Sequence, residues 1–273
     1  MEKFFVHTGA DIEVGKLLKQ KLKFSRRMLT DLKNNNGIAV NGNAVFSNFT
    51  VKNGDTVTVT LPENNSDIPP EKGDLDIVYE DEFLLVINKP SGIPVHPTLN
   101  FKNGTLANFV MYHYKDAPFV FRPVNRLDKD TSGLVLIAKD KHTAFALSEQ
   151  LKNNKIRKIY RALVCGTPSE SGEIDAPIQR CDDSIIKRCV HPDGKPSKTL
   201  FRTLSTENGL SLVEAEPITG RTHQIRVHFA HIGHPLYADF LYGEEIENQT
   251  FSLHCHSLIF PHPETGEELK IEC

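Results

Sequence analysis

The sequence lacks an excess of charge of either sign. Its 273 residues hold 32 Lys and Arg against 35 Asp and Glu, a formal net charge of -3. That balance excludes a uniformly basic coat for nucleic acid. It also lacks any apolar run approaching the roughly 18 residues that a membrane span requires, so no membrane partner is expected. The opening Met1-Glu2-Lys3-Phe4-Phe5 turns polar too soon for a secretory signal. Cysteine is sparse: Cys165, Cys181, Cys189, Cys255 and Cys273 are odd in number and form no C-x-x-C pair. A reduced, cytoplasmic protein follows. Repeats and low-complexity tracts are also missing.

What is present is ordinary in amount and uneven in place. Hydrophobic residues make up 39% and charged residues 25%, as in a soluble globular protein. At roughly 150 residues per domain the length suggests two domains. Residues 1–52 carry nine basic and four acidic side chains, whereas residues 241–273 carry one and seven. Two further basic stretches, Lys141 to Arg161 and Arg180 to Arg202, each hold six Lys and Arg. Each suits phosphate contact, or simply a solvated face.

Local pattern divides the chain. Val14, Leu17, Leu18 and Leu22 fall at helical spacing. Ser25 is placed to cap a second helix carrying Met28, Leu29 and Leu32 on one face. Ile38-Ala39-Val40, Asn41-Gly42 and Ala44-Val45 read as a hairpin, and Val57, Val59 and Leu61 alternate with threonines as a strand does. Residues 1–62 thus form a small α+β unit, residues 63–74 a polar, proline-rich linker, and residues 75–273 a larger domain. In the larger domain, strands are expected at 77–79, 83–87, 134–138, 157–164 and 210–216. Helices are expected around Ala144, Leu147 and Leu151 and over 223–232, with a loop-rich stretch between Val164 and about residue 199. Strands and helices mixed without a regular βαβ repeat favour α+β.

The run Val124-Asn125-Arg126-Leu127-Asp128-Lys129-Asp130-Thr131-Ser132-Gly133 is dense in polar groups directly before an apolar strand. A carboxylate beside Arg, Lys and turn N–H donors is held ionised and can act as nucleophile or base. A solvated turn has the same composition. Tyr160 alternates with Ala162 and Val164, so its ring is expected inside with its hydroxyl seeking a partner. On a helix over 223–232, Ile225, Phe229 and Ile232 form an apolar stripe, and Arg226 sits one position off it. Its guanidinium is then partly desolvated, or simply exposed at the surface.

The order of residues in this run resembles the H-R-L-D-x-x-T-S-G motif of the RluA-type RNA pseudouridine synthases. The resemblance extends to Asn88-Lys89-Pro90-Ser91-Gly92, to Lys158-Ile159-Tyr160-Arg161-Ala162-Leu163-Val164-Cys165-Gly166, and to Gly220-Arg221-Thr222-His223-Gln224-Ile225-Arg226-Val227-His228. Gly233-His234-Pro235-Leu236, then Asp239, continues it, in the family's order over residues 74–273. One position departs: Asn125 stands where many members have His, which puts in doubt any role needing an imidazole there. Residues 1–62 resemble the S-four-like RNA-binding domain that often precedes this catalytic domain, through Ser25-Arg26-Arg27, Gly37 to Gly42 and Val51 to Asp55. A helix start carrying arginines suits a phosphate.

The resemblance implies a catalytic domain with a mixed, largely antiparallel sheet flanked by helices, behind a small α+β RNA-binding unit. It implies an enzyme that isomerises uridines already inside ribosomal or transfer RNA, without cofactor or metal. Asp128 is then the catalytic carboxylate, whether it attacks the sugar, attacks the ring or acts as a base. Tyr160 lines the base and assists proton removal from the ring carbon, and Arg226 completes the catalytic set as the cation paired with Asp128. Arg126, Arg221 and Lys89, with Ser25, Arg26 and Arg27 of the head, are the expected RNA contacts, and a monomer is expected. Three rivals are weighed beside this. A zinc enzyme would use the cluster His223, His228, His231 and His234, with His254-Cys255-His256, but no H-E-x-x-H appears. A non-catalytic RNA-assembly factor would fit the basic head. A hydrolytic nucleosidase would release free uracil.

Overall fold

Eight short elements lie before residue 61: β1 (Glu2–Val6), β2 (Ile12–Glu13), α1 (Val14–Lys21), α2 (Arg26–Asn34), β3 (Ile38–Val40), β4 (Asn43–Ala44), β5 (Thr50–Val51) and β6 (Thr56–Thr60). The computed structural model describes residues 2–22, 24, 26–60, 67–99, 101–182, 184–249 and 251–273. Ser25 and the start of the expected linker, 63–66, lie outside the described residues. The expected hairpin is present: β3 and β4 pair across Asn41 and Gly42, whose φ angles are 53° and 79°. Both residues are left-handed, the turn whose twist matches that of the flanking strands. β6 pairs with β3 on one side and β1 on the other, both antiparallel.

The strand β1 was not expected. Phe4 and Val6 on it remain 79% and 52% exposed, and only the Phe5 between them packs against the core among its described side chains, so the run shows no clear apolar alternation; it pairs along its length with β6. Val14, Leu17 and Leu18 of α1 and Met28 and Leu32 of α2 close over Ile38, Val40, Val57 and Val59 as one buried cluster. Each such side chain contributes roughly 1.5–3 kcal/mol by leaving water.

The remaining elements are β7 (Ile77–Glu80), β8 (Leu84–Lys89), α3 (Leu106–His113), β9 (Ser132–Ala138), α4 (Lys141–Lys152), β10 (Arg157–Cys165), β11 (Ser171–Asp175), β12 (Ile178–Arg180), β13 (Arg188–Val190), β14 (Lys198–Glu207), β15 (Leu210–Pro217), α5 (Gln224–His231), β16 (Leu253–Pro261) and β17 (Glu268–Glu272). One sheet runs β11-β14-β15-β10-β16-β9-β8-β7, with β17 added to β16. It is mixed and largely antiparallel, since β9 runs parallel to β16 while its other pairings are antiparallel. β8 and β9 are buried almost end to end and read as continuous apolar runs for that reason. The stretch expected as loop up to residue 199 instead holds β11, the β12–β13 hairpin and the first residues of β14. β12 and β13 have three residues each, too few to display an alternation.

β9 touches β16 through only His254↔Ser132 and Cys255↔Gly133, after which β17 takes its place. Gly133 stands at this crossing with φ 105°, and a Cβ there would lie 2.4 Å from the Cys255 carbonyl oxygen. Only glycine admits so close a backbone approach. The sheet therefore parts immediately after the Asp128 segment, and the cleft opens beside that point. The buried cluster of residues 1–60 meets this body at α4: Phe145 packs against it, and the Phe24 ring lies 5.8 Å from that of His142.

Candidate active site

Asp128 lies on a loop that its neighbours fix from three sides. Lys89, fully buried at the end of β8, donates to the carbonyls of Pro90 at 2.8 Å, Ile93 at 2.8 Å and Lys129 at 3.0 Å. All three ammonium donors are thereby satisfied. Burial pulls its pKa down to about 8, while Asp130 and Asp128 pull it back up, so it remains a cation at neutral pH. The Ser91 hydroxyl donates to Asp130 O at 2.7 Å, and Gly92 N–H to Lys129 O at 3.0 Å. Lys89 was expected to contact RNA. With no exposed surface it does not; it joins the Asn88–Gly92 loop to the Asp128 loop.

Asn125 supplies the third tie. Its amide donates to Leu134 O at 3.0 Å and accepts from Leu136 N–H at 2.8 Å, imitating a strand partner for β9. A primary amide offers donor and acceptor together, so the Asn at this position has a structural use that requires no imidazole.

The cleft has a volume of about 790 Å³, with Asp128, Arg126, Tyr160, Lys158, His223 and Arg221 among its walls. The Asp128 side chain is 35% exposed, and His223 Nε2 lies 3.9 Å from its Oδ2. Tyr160 is buried on β10 together with Ala162 and Val164, as alternation required. Burial above all, then Cys255 and Asp128, pushes its phenol well above the ordinary range. The phenol is therefore neutral, which suits a wall and a hydrogen-bond donor and weighs against a phenolate base. Lys158, two residues earlier on the same strand face, has its pKa lowered by burial. The Thr131 hydroxyl oxygen, also on the cleft wall, is buried without a hydrogen-bond partner.

The expected pair of Arg226 and Asp128 is corrected by the geometry. Arg226 is 3% exposed, and its Nε and Nη2 donate to the two oxygens of Asp239 at 2.8 and 2.6 Å. Asp239 is fully buried and also accepts from the backbone N–H of Leu241 at 3.0 Å. The guanidinium lies 4.1 Å from the Phe251 ring centre. A carboxylate 13 residues along the chain, held in the same buried layer, satisfies both forks of the guanidinium. Asp239 had already been read as part of the family pattern; its spacing from Arg226 gave no sign of the contact. What faces Asp128 instead is His223, which belongs to the same motif and was weighed only as a zinc ligand.

Arg126 is exposed at the rim of the cleft, and Arg221 lines it while its Nε donates to Pro196 O at 3.2 Å. In the head, Arg26 and Arg27 occupy the first turn of α2, and Arg26 is exposed. The Arg27 side chain, like Ser25, lies outside the described residues. The histidines that suggested zinc have other partners. His228 is buried between the Thr199 hydroxyl and Ala176 O, each at 2.9 Å, His234 bonds Cys165 O, and His254 bonds the Ser132 hydroxyl. Among the described residues no three His, Cys, Asp or Glu side chains come together to hold a metal ion.

Fold and cleft together define an α+β protein with a carboxylate, a neutral phenol and several cations around one cavity of about 790 Å³. Residues 83–231 match the family described as RNA pseudouridylate synthase. The uncharacterised RNA pseudouridine synthase YhcT of Bacillus subtilis is 40% identical over 264 residues, covering 94% of this chain and 87% of that protein. Ribosomal large subunit pseudouridine synthase D of Pasteurella multocida is 36% identical over 279 residues, covering 93% and 86%. Among solved structures, human RNA pseudouridylate synthase domain containing 1 superposes with a TM-score of 0.64 at 28% identity, covering 75% of this chain and 85% of that one. The chain belongs to the RNA pseudouridylate synthase family and is a pseudouridine synthase.

Proposed function

We propose that this enzyme isomerises uridines within ribosomal large-subunit RNA, with Asp128 as the catalytic carboxylate. The observation that carries the role of Asp128 is its placement: a partly exposed carboxylate on a loop held by buried bonds, lining with Tyr160 one cleft of about 790 Å³. The ribosomal substrate is favoured by relatives named for the ribosomal large subunit, in Pasteurella multocida and Pseudomonas aeruginosa; transfer RNA is the second substrate class of the resemblance. In the reaction the bond from uracil N1 to the sugar breaks, the base turns, and its C5 bonds to the sugar. C5 loses a proton and N1 gains one, so no external reductant or oxidant is consumed. Tyr160 is the flat wall along which the uracil turns. Thr131, with its hydroxyl unpartnered, is a further contact for the bound nucleotide.

The target nucleotide must leave its stack, which costs a few kcal/mol. Phosphate contacts away from the base offset that cost. Arg126 and Arg221 are placed for them at the cleft, with Lys158 inside it. Residues 1–62 form a separate RNA-gripping unit joined through the linker 63–74, with Arg26 exposed at the start of α2. The enzyme acts in the cytoplasm, as a monomer and without a cofactor. Among the described residues no helix is long and apolar enough to cross a membrane.

The test is a conversion assay on ribosomal RNA transcripts, followed by mapping of pseudouridine and by measurement of free uracil. The parent is expected to form pseudouridine without releasing uracil, and Asp128→Asn to bind the same RNA and form none. Uracil release would point to a nucleosidase, and full activity of Asp128→Asn would remove the carboxylate from the mechanism.

A further inference from the structure

We propose that His223 is a positioning residue for the Asp128 carboxylate, oriented from behind by the hydroxyl of Tyr242. This rests on the reading of Asp128 as the catalytic group. The relevant geometry begins in the backbone. His223 precedes α5 with φ 57° and ψ 20°, and its side chain makes no capping bond to the helix. A left-handed conformation in a residue with a side chain persists only where the surroundings impose it. Here the ring is directed into the cleft rather than along the helix.

The bonds around the ring determine which nitrogen carries the proton. His223 Nδ1 lies 2.7 Å from Tyr242 Oη. That same hydroxyl accepts the backbone N–H of Arg188, on β13, at 2.9 Å. With the Arg188 N–H already supplied to it, the Tyr242 O–H is free to donate to Nδ1. The ring proton is then on Nε2, the atom that faces Asp128 Oδ2 at 3.9 Å. This separation exceeds a hydrogen bond, and such contacts shorten when substrate fills a site. A donor fixed at one edge of the carboxylate leaves the other oxygen directed at the nucleotide.

The charges around His223 keep this arrangement neutral. Burial lowers its pKa first; Arg226 and Arg188 lower it further, and Asp128 and Asp239 oppose them. The Tyr242 phenol, pushed up to about 12 chiefly by burial, remains a donor throughout the working range. Acidification places a second proton on Nδ1. The Tyr242 bond must then reverse, and the imidazolium pairs with Asp128 and withdraws it. Activity is therefore expected to fall on the acid side, below the ordinary histidine range.

The experiment compares kcat and KM across pH on one ribosomal RNA substrate for the parent, Tyr242→Phe, His223→Gln, His223→Ala and Asp128→Asn, all in the full chain. Tyr242→Phe is expected to lose about tenfold in kcat with KM nearly unchanged. Its acid limb is expected at higher pH, because loss of the O–H···Nδ1 bond removes a contact that favours the neutral ring. The glutamine amide of His223→Gln offers an N–H near the place of Nε2, so it is expected to retain several-fold more kcat than His223→Ala. Parental kcat and acid limb in Tyr242→Phe overturn the inference. So does a His223→Gln no better than His223→Ala, or an effect confined to KM, which would make the ring an RNA contact. Full activity of Asp128→Asn overturns the carboxylate reading and this inference with it; the other outcomes bear on His223 alone.

Discussion

The unit of residues 2–60 and the body that follows it place their charge in opposite ways. In the first, apolar side chains fill a small core under two helices, and Arg26, with the apolar Phe4 and Phe46, stays outside. In the body, Lys89, Arg226 and Asp239 are buried around the cleft, each bonded to carbonyls or to one another. Exposed charge acts at a distance, is screened by salt, and contributes little to stability. Buried charge holds loops in place and is costly when its partner is removed. Under the proposed function, the first unit would attract a polyanion and the body would fix one carboxylate against one nucleotide.

Four variants sharpen or break that contrast. The largest effect is expected from Asp128→Asn, which should lower kcat by about 10³-fold or more while RNA affinity changes little; a filter-binding assay beside the conversion assay separates the two. Next is Arg226→Ala. It leaves the Asp239 carboxylate buried and unpaired, so unfolding free energy should fall by about 3–5 kcal/mol, read by denaturant titration. A surface-like loss below about 1 kcal/mol would mean that this pair is not closed to water.

Lys89→Met comes third, and its sign follows from linkage. The folded pKa of about 8 lies below the ordinary 10.5, so between those values the unfolded chain binds the extra proton. The parent should therefore gain up to about 3 kcal/mol relative to Lys89→Met as pH rises from 8 to 10.5. Taking the difference between the two proteins cancels the tyrosines and cysteines that titrate in the same range. A flat difference would place Lys89 in contact with solvent. The smallest effect is expected from deleting residues 1–62: about tenfold weaker RNA binding and a shallower salt dependence, with the thermal transition of the body retained. Unchanged affinity would turn the first unit into a protein-docking appendage.

Much of the scaffold was legible in the sequence, and particular residues show why. Asn41-Gly42 dictates its hairpin through two left-handed residues, a property of the dipeptide itself. The alternation of Tyr160, Ala162 and Val164 places the phenol inside, because a strand has a period of two wherever it lies. β14 was missed although Asn208-Gly209, the same dipeptide, joins it to β15. Its own burial pattern fades after Phe201, so the strand is recognisable mainly by its partner. Among the site residues, Asp128 and Tyr160 line one cleft, whereas the partner of Arg226 and the burial of Lys89 were misread.

The sequence by itself determined the Asn41-Gly42 turn, the inward phase of Tyr160, the order of the motifs and, through that order, the family. Each depends on residues a few positions apart, whose backbone and periodicity report directly on neighbouring residues. Only the tertiary structure decided which charges are paired and which side chains face the cleft. Arg226 finds Asp239 rather than Asp128, Lys89 bonds Lys129 O across 40 positions, and Tyr242 turns His223 toward Asp128. Charge pairing depends on separation in space and on exclusion of water, and both are fixed when distant loops close over the parting of one sheet.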